Sequence, residues 1–170
     1  MFTALKREYN YLRGALRTLK MTTPIAKTPT RVFPFVMEEL AAKYGDKEAL
    51  LSDKESYTYK QLDARANQYA RWALAQGIKK GDAVCLFMLN RPEYFIFWLG
   101  LTRMGAVVAL INTNLSGTPL AHCVTIVKPK HVVVASELLG AYRTAQSQIT
   151  GDPKVWTYGA NDAGLARLGS

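Results

Sequence analysis

Cysteine is scarce: the chain has two, Cys85 and Cys123, and no CxxC or Cys/His cluster. That excludes a disulfide framework and leaves a zinc site unsupported, and it fits a reducing, cytoplasmic setting. No long apolar run survives inspection either. The richest stretch, residues 94–111, is split by Thr102, Arg103 and Gly105 into a helix-length and a strand-length piece, so a transmembrane helix is rejected. There is no GxxxxGK(S/T) loop, no GxGxxG after a strand and no GxSxG elbow, which removes the usual phosphate cradles and the nucleophilic serine. Acidic charge is nearly missing from the first 31 residues, where Glu8 stands alone against seven basic side chains. The remaining 139 residues carry 15 basic and 12 acidic groups, so the net charge of +9 belongs to an N-terminal arm. A nucleic-acid-binding domain would spread its charge over a face of the folded body, and none is expected here.

The chain has 170 residues, 49% hydrophobic and 21% charged, enough for one ordinary domain with a buried core. In residues 1–21, Phe2, Leu5, Tyr9, Leu12, Leu16 and Leu19 recur at steps of three and four, predicting an amphipathic helix. Lys6, Arg13, Arg17 and Lys20 lie largely on its other side. Such a helix suits a membrane surface bearing anionic headgroups, or else packs against protein. Charges interrupt it throughout, so it is not a signal peptide. Residues 22–34, with Pro24, Pro29 and Pro34 among threonines, read as a linker.

Residues 35–170 alternate strand and helix patterns. A helix is expected over 35–44, two short strands over 49–52 and 56–59, and a helix opened by the capping box Thr58-Tyr59-Lys60-Gln61. That helix should bury Leu62, Ala66, Tyr69, Ala70, Ala73 and Leu74 and stop at Gly77. Continuous apolar runs at 83–89 and 106–111 read as strands covered on both faces. Between them lies an aromatic helix over 93–104, capped by Asn90, with Pro92 in its first turn. Helices over 119–127 and 137–146 and strands over 131–135 and 154–158 complete the pattern. The implied fold is α/β, a doubly wound and mainly parallel sheet.

Catalytic chemistry is hard to find among these residues. His122 and Cys123 are neighbours, but adjacent helical positions point about 100° apart, so they make no ready base–nucleophile pair. Cys123 reads as a small core residue.

Several stretches nevertheless form an ordered set. Tyr57-Thr58-Tyr59-Lys60-Gln61-Leu62-Asp63 resembles the first core motif of the AMP-forming adenylating superfamily. Gly77-Ile78-Lys79-Lys80-Gly81-Asp82 and Asn90-Arg91-Pro92-Glu93 follow in that superfamily's order, and Leu99-Gly100-Leu101-Thr102-Arg103-Met104-Gly105-Ala106 is similar to its second core motif. Ile111-Asn112-Thr113-Asn114-Leu115, then Leu120-Ala121-His122-Cys123, resembles the fatty-acid transport protein and very-long-chain acyl-CoA synthetase branch. The resemblance spans residues 35–158.

It implies an N-terminal piece of a long-chain or very-long-chain fatty-acid–CoA ligase. The intact enzyme joins a fatty acid to ATP with Mg²⁺, releases pyrophosphate, and passes the acyl group to coenzyme A. The family's phosphate-contacting motif, similar to YTSGTTGLPK, does not occur here, nor do its adenine motif and its catalytic lysine. The expectation is therefore a segment without catalytic residues, inactive without the remainder of the ligase, binding no cofactor tightly, and cytoplasmic or peripheral on the inner face of a membrane. Asn112, Thr113 and Asn114 are candidate coenzyme A contacts by resemblance, with a turn cap as the alternative role of the asparagines. By the same resemblance, matched on spacing with no local motif, Arg143 falls near a phosphate-binding arginine of the superfamily and is a candidate coenzyme A contact, or else a helix-surface residue. A non-catalytic α/β binding or interaction module is the other reading of the whole.

Overall fold

The computed structural model describes residues 2–28, 30–159 and 166–167. They form two compact units, one running to Val36 and the other from Met37. The first unit is dominated by α1 (Phe2–Lys27), a 26-residue helix that contains Pro24. It overruns the expected linker by six residues. Proline has no N–H to give the carbonyl one turn back, but threonine hydroxyls occupy neighbouring carbonyls. Thr22 Oγ1 donates to Thr18 O at 3.0 Å, Thr23 Oγ1 to Leu19 O at 2.6 Å, and Thr28 Oγ1 to Pro24 O at 2.6 Å. The next helix, α2 (Phe33–Tyr44), begins two residues before its predicted start.

From Met37 onward the elements follow the expected alternation. A hairpin of β1 (Glu48–Leu51) and β2 (Ser56–Thr58) is antiparallel. The capping box then opens α3 (Tyr59–Ala75): Thr58 Oγ1 accepts from Gln61 N at 3.2 Å, and Gln61 Oε1 from Thr58 N at 2.9 Å. Next come β3 (Ala83–Phe87), α4 (Pro92–Arg103), β4 (Val107–Leu110), α5 (Gly117–Val127) and β5 (His131–Ala135). A 3₁₀ turn (Ser136–Leu138), α6 (Leu139–Gln146), β6 (Lys154–Tyr158) and the short β7 (Ala166–Arg167) close the described chain. The five-stranded sheet has the order β4-β3-β5-β6-β7, and every pair in it is parallel.

The period of two along each strand sorts the core into two layers. Val84, Leu86, Val133, Ala135 and Trp156 pack with Leu62, Ala66, Tyr69 and Ala73 of α3 and Ile96 and Phe97 of α4. Cys85, Phe87, Val132 and Val134 pack with Leu120, Ala121 and Val124 of α5 and Tyr142 and Ala145 of α6. Helices on both faces of a parallel sheet make this the doubly wound arrangement.

Three expectations are corrected. Leu74 is 63% exposed, because it falls on the outer side of α3. Asn90 does not cap α4; Arg91 holds the N-cap position with extended backbone and no side-chain cap bond, leaving Pro92 to start the helix. The apolar run at 106–111 is not covered throughout: β4 is an edge strand, with Val107 54% and Leu110 48% exposed.

Candidate functional site

Parallel strands send all their exit loops to one end of the sheet, and ligands of such sheets gather there, beside the strand where the order reverses. Here that strand is β3, since β4 lies on one side of it and β5 on the other. Its exit, residues 88–91, leads to α4 on one face, while the exit of β5 leads to α6 on the opposite face. The loops therefore part between β3 and β5. Arg91 and Glu137 form a close ion pair across this gap, and the Arg91 guanidinium carbon stands 6.0 Å from the centre of the Tyr158 ring at the end of β6. Beside them a cleft of about 320 Å³ is lined by Ser52, Asp53, Lys54, Glu55, Leu89, Asn90 and Arg91.

Behind the cleft sits a buried polar cluster. Glu93, in the first turn of α4, is 1% exposed. It accepts the Tyr69 hydroxyl in a short bond and Arg65 Nε at 2.9 Å. Burial first, then the charge of Glu93, pushes the Tyr69 hydroxyl far up from its ordinary value. The same two causes, with Glu55 added, raise Tyr57 to about 12 and shift Tyr158 upward. These phenols stay protonated, and two of them donate: Tyr69 to Glu93, and Tyr57 to Glu55 Oε2 at 3.3 Å. The cluster was not legible in the sequence, because its members come from α3, α4, β2 and β6. The run Asn90-Arg91-Pro92-Glu93 signals a helix start but gives no hint that Glu93 turns inward.

The candidate residues lie at the same end of the sheet or on the helix beside it. Asn112, Thr113 and Asn114 follow β4, with both asparagines exposed and Thr113 half-buried. Asn112 Oδ1 accepts from Asn114 N at 3.0 Å, so the Asn112 side chain does shape a turn. Arg143 is exposed in the last turn of α6. Its neighbour Thr144 accepts Gly117 N at 2.7 Å, and Thr118 Oγ1 donates to Gln148 Oε1 at 2.8 Å. The start of α5, just past the asparagine loop, is thereby held against the helix that carries Arg143. His122 is exposed and Cys123 half-buried. On α1, Lys6, Arg13, Arg17 and Lys20 are exposed, as are Leu5, Tyr9, Leu12, Leu16 and Leu19. Arg13, Arg17 and Lys20 line one shallow groove together with Leu16, so these cations border the apolar strip rather than oppose it. Among the described residues no helix is long and apolar enough to cross a membrane, and no group of three His, Cys, Asp or Glu side chains is placed to hold a metal.

The family pattern described as AMP-binding enzyme matches residues 37–163. The chain belongs to the AMP-binding enzyme family. Within that family's reach, the chain is 31% identical over 155 residues to mouse long-chain fatty acid transport protein 6, covering 89% of this chain and 22% of that protein. It is 29% identical over 144 residues to a medium/long-chain-fatty-acid–CoA ligase of Mycobacterium tuberculosis, covering 83% of this chain and 24% of the ligase. Among solved structures, an anthranilate CoA ligase in complex with anthranoyl-AMP superposes with a TM-score of 0.74 at 20% identity, over 78% of this chain and 26% of that one. The chain thus spans about a fifth to a quarter of the length of these curated AMP-binding relatives. Its fold is the N-terminal subdomain of adenylating CoA ligases.

Proposed function

We propose that the chain supplies the amino-terminal part of the adenylation domain of a long-chain or very-long-chain fatty-acid–CoA ligase. The carrying observation is the family match over residues 37–163 together with the similarity to a fatty acid transport protein along 89% of the chain. The intact enzyme would join the fatty acid carboxylate to the α-phosphate of ATP, release pyrophosphate, and transfer the acyl group to the coenzyme A thiol, releasing AMP. Adenylation concentrates charge on phosphate oxygens, which calls for Mg²⁺, a backbone cradle and a cation. The described residues hold neither a glycine-rich cradle nor a metal cluster, so ATP and Mg²⁺ would be held by the remainder of the ligase. This segment's part would be to form one wall at the carboxyl end of the sheet, where Asn112, Thr113 and Asn114 would face the coenzyme A nucleotide, with Arg143 reaching its phosphates from the flanking α6.

The test compares this chain with a full-length ligase that begins with it. The chain alone should give no fatty-acid-dependent exchange of pyrophosphate into ATP, and the full-length ligase should give it. In the full-length protein, Asn112→Ala, Asn114→Ala and Arg143→Ala should raise KM for coenzyme A while adenylate formation persists. Exchange by the chain alone overturns the division of labour; unchanged coenzyme A kinetics leave the loop structural.

The arm fits a peripheral location. Leu5, Leu12, Leu16 and Leu19 would enter the acyl boundary of a membrane while the bordering Arg13, Arg17 and Lys20 reach anionic headgroups. Removal of residues 1–20 should abolish binding to phosphatidylserine vesicles, and added salt should weaken it in the intact chain. Binding that survives the deletion overturns this placement.

A further inference from the structure

At the opposite end of the sheet from the loops described above, two indole rings meet around one imidazole. His131 opens β5 and is 7% exposed. Its Nδ1 accepts a hydrogen bond from Trp156 Nε1 of β6 at 3.0 Å. The Trp72 ring of α3 stands edge-on to both, with centroids 6.2 Å from His131 and 5.1 Å from Trp156. Lys154 Nζ covers the outer side of Trp156 at 4.3 Å and donates to Gln76 Oε1 at 3.1 Å.

An indole N–H can only donate, so the bond exists only while Nδ1 carries no proton. The ring is then neutral, with its proton on Nε2. A second proton would set two donors against each other and bury a cation. The surroundings oppose that cation. Burial comes first, then the charges of Lys154 on β6 and Lys130 just before β5; Asp82, ahead of β3, acts the other way but is itself tied to Lys130 at 2.8 Å. The Trp72 indole of α3 is likewise a donor only, its Nε1 buried with no acceptor among the described residues, so it offers a protonated His131 nothing to donate to.

We propose that His131 is a proton-operated pin: neutral, it fastens β6 to β5 and α3 through Trp156, and protonated, it lets β6 go. The strand it holds ends in Tyr158, whose ring packs against Arg91 at the switch point, so acidification at one end of β6 loosens the support of the crevice at the other. His131 binds its proton more weakly in the fold than in the unfolded chain. Stability from the pin is therefore complete above the unfolded value near 6.5 and is lost as pH falls from there through the lower folded value.

Imidazole NMR on the full chain tests this directly, with His122→Gln identifying the second histidine. His131 should titrate below 6.5 with its neutral proton on Nε2, and amide exchange in β6 should accelerate over the same pH range. His131→Gln keeps an acceptor but cannot titrate. Between pH 7.5 and 5.0 the wild-type melting temperature should fall further than that of His131→Gln, because only the wild type carries an imidazole that gains proton affinity on unfolding. A titration at or above 6.5, a neutral proton on Nδ1, or an equal acid loss in His131→Gln overturns the proposal.

Discussion

At Gly100 the backbone of α4 lies directly against α3. A Cβ built on it would stand 2.5 Å from Ala66 O and 2.9 Å from Tyr69 Cβ, so a backbone carbonyl occupies the space. In an exposed helix, glycine to alanine stabilises by about 1 kcal/mol. Here the helices would have to move apart, and Gly100→Ala should instead destabilise by about 1–3 kcal/mol, read as a lowered urea midpoint. A raised midpoint would mean that the interface yields freely. Close by, Tyr69→Phe keeps the packing but removes a donor to the buried Glu93 carboxylate, and should cost about 1.5–3 kcal/mol in the same measurement. Alkali probes this cluster from another side. Tyr57 loses its proton near 10 in the unfolded chain and near 12 in the fold, so stability should decline across that window, and Tyr57→Phe should flatten the decline. None of these partners can be paired from sequence spacing, since Tyr69 and Glu93 are 24 positions apart.

Where a structural device is short and local, the sequence did reveal it. The α3 capping box is four residues long, both of its hydrogen bonds form, and Thr58→Ala should cost about 1 kcal/mol with loss of helix ellipticity near residues 59–61. Full stability in that variant would show that the hairpin, not the cap, fixes where α3 begins. The end of α3 was equally legible, because Gly77 adopts φ +73° as a helix-stopping residue does. Pro24 misled because threonine hydroxyls carry the helix past it, a compensation that depends on rotamers rather than residue type. Asn90 misled because a good capping residue one position too early is indistinguishable from one in place. Arg91 takes the cap position while its side chain reaches Glu137, 46 residues away. The candidate coenzyme A loop was found by its motif, whereas the Arg91–Glu137–Tyr158 crossing was not, since it exists only once β3, β5 and β6 lie side by side.

The order of the sheet was the least accessible property, because alternating strands and helices fit several windings. Its outcome leaves β4 as an edge with almost no protection. Val107 N and Ile111 N bond to Asp82 O and Leu86 O, which turns the alternate amides of Val108 and Leu110 outward. No described strand pairs with that side, and residues 106–111 carry no charge and no proline. Such an edge recruits other strands. The chain should self-associate as its concentration rises, and Leu110→Lys, at an exposed position, should suppress this without lowering the melting temperature. Sedimentation velocity decides: equal association in both proteins would place the sticky surface elsewhere.

The place of β3 between β4 and β5 also sets an order of events on the ribosome. Its two neighbours arrive one after the other, β4 ending at Leu110 and β5 not beginning until His131. Through that interval a nascent chain carries Val84, Cys85, Leu86 and Phe87 with one flank bare, and Cys85 and Phe87 still lack the Tyr142 and Ala145 of α6 that later cover them. A stalled chain that exposes residues only to about 125 is thus the form that most needs a chaperone, and some twenty residues more supply the second neighbour of β3 and the helix that covers it.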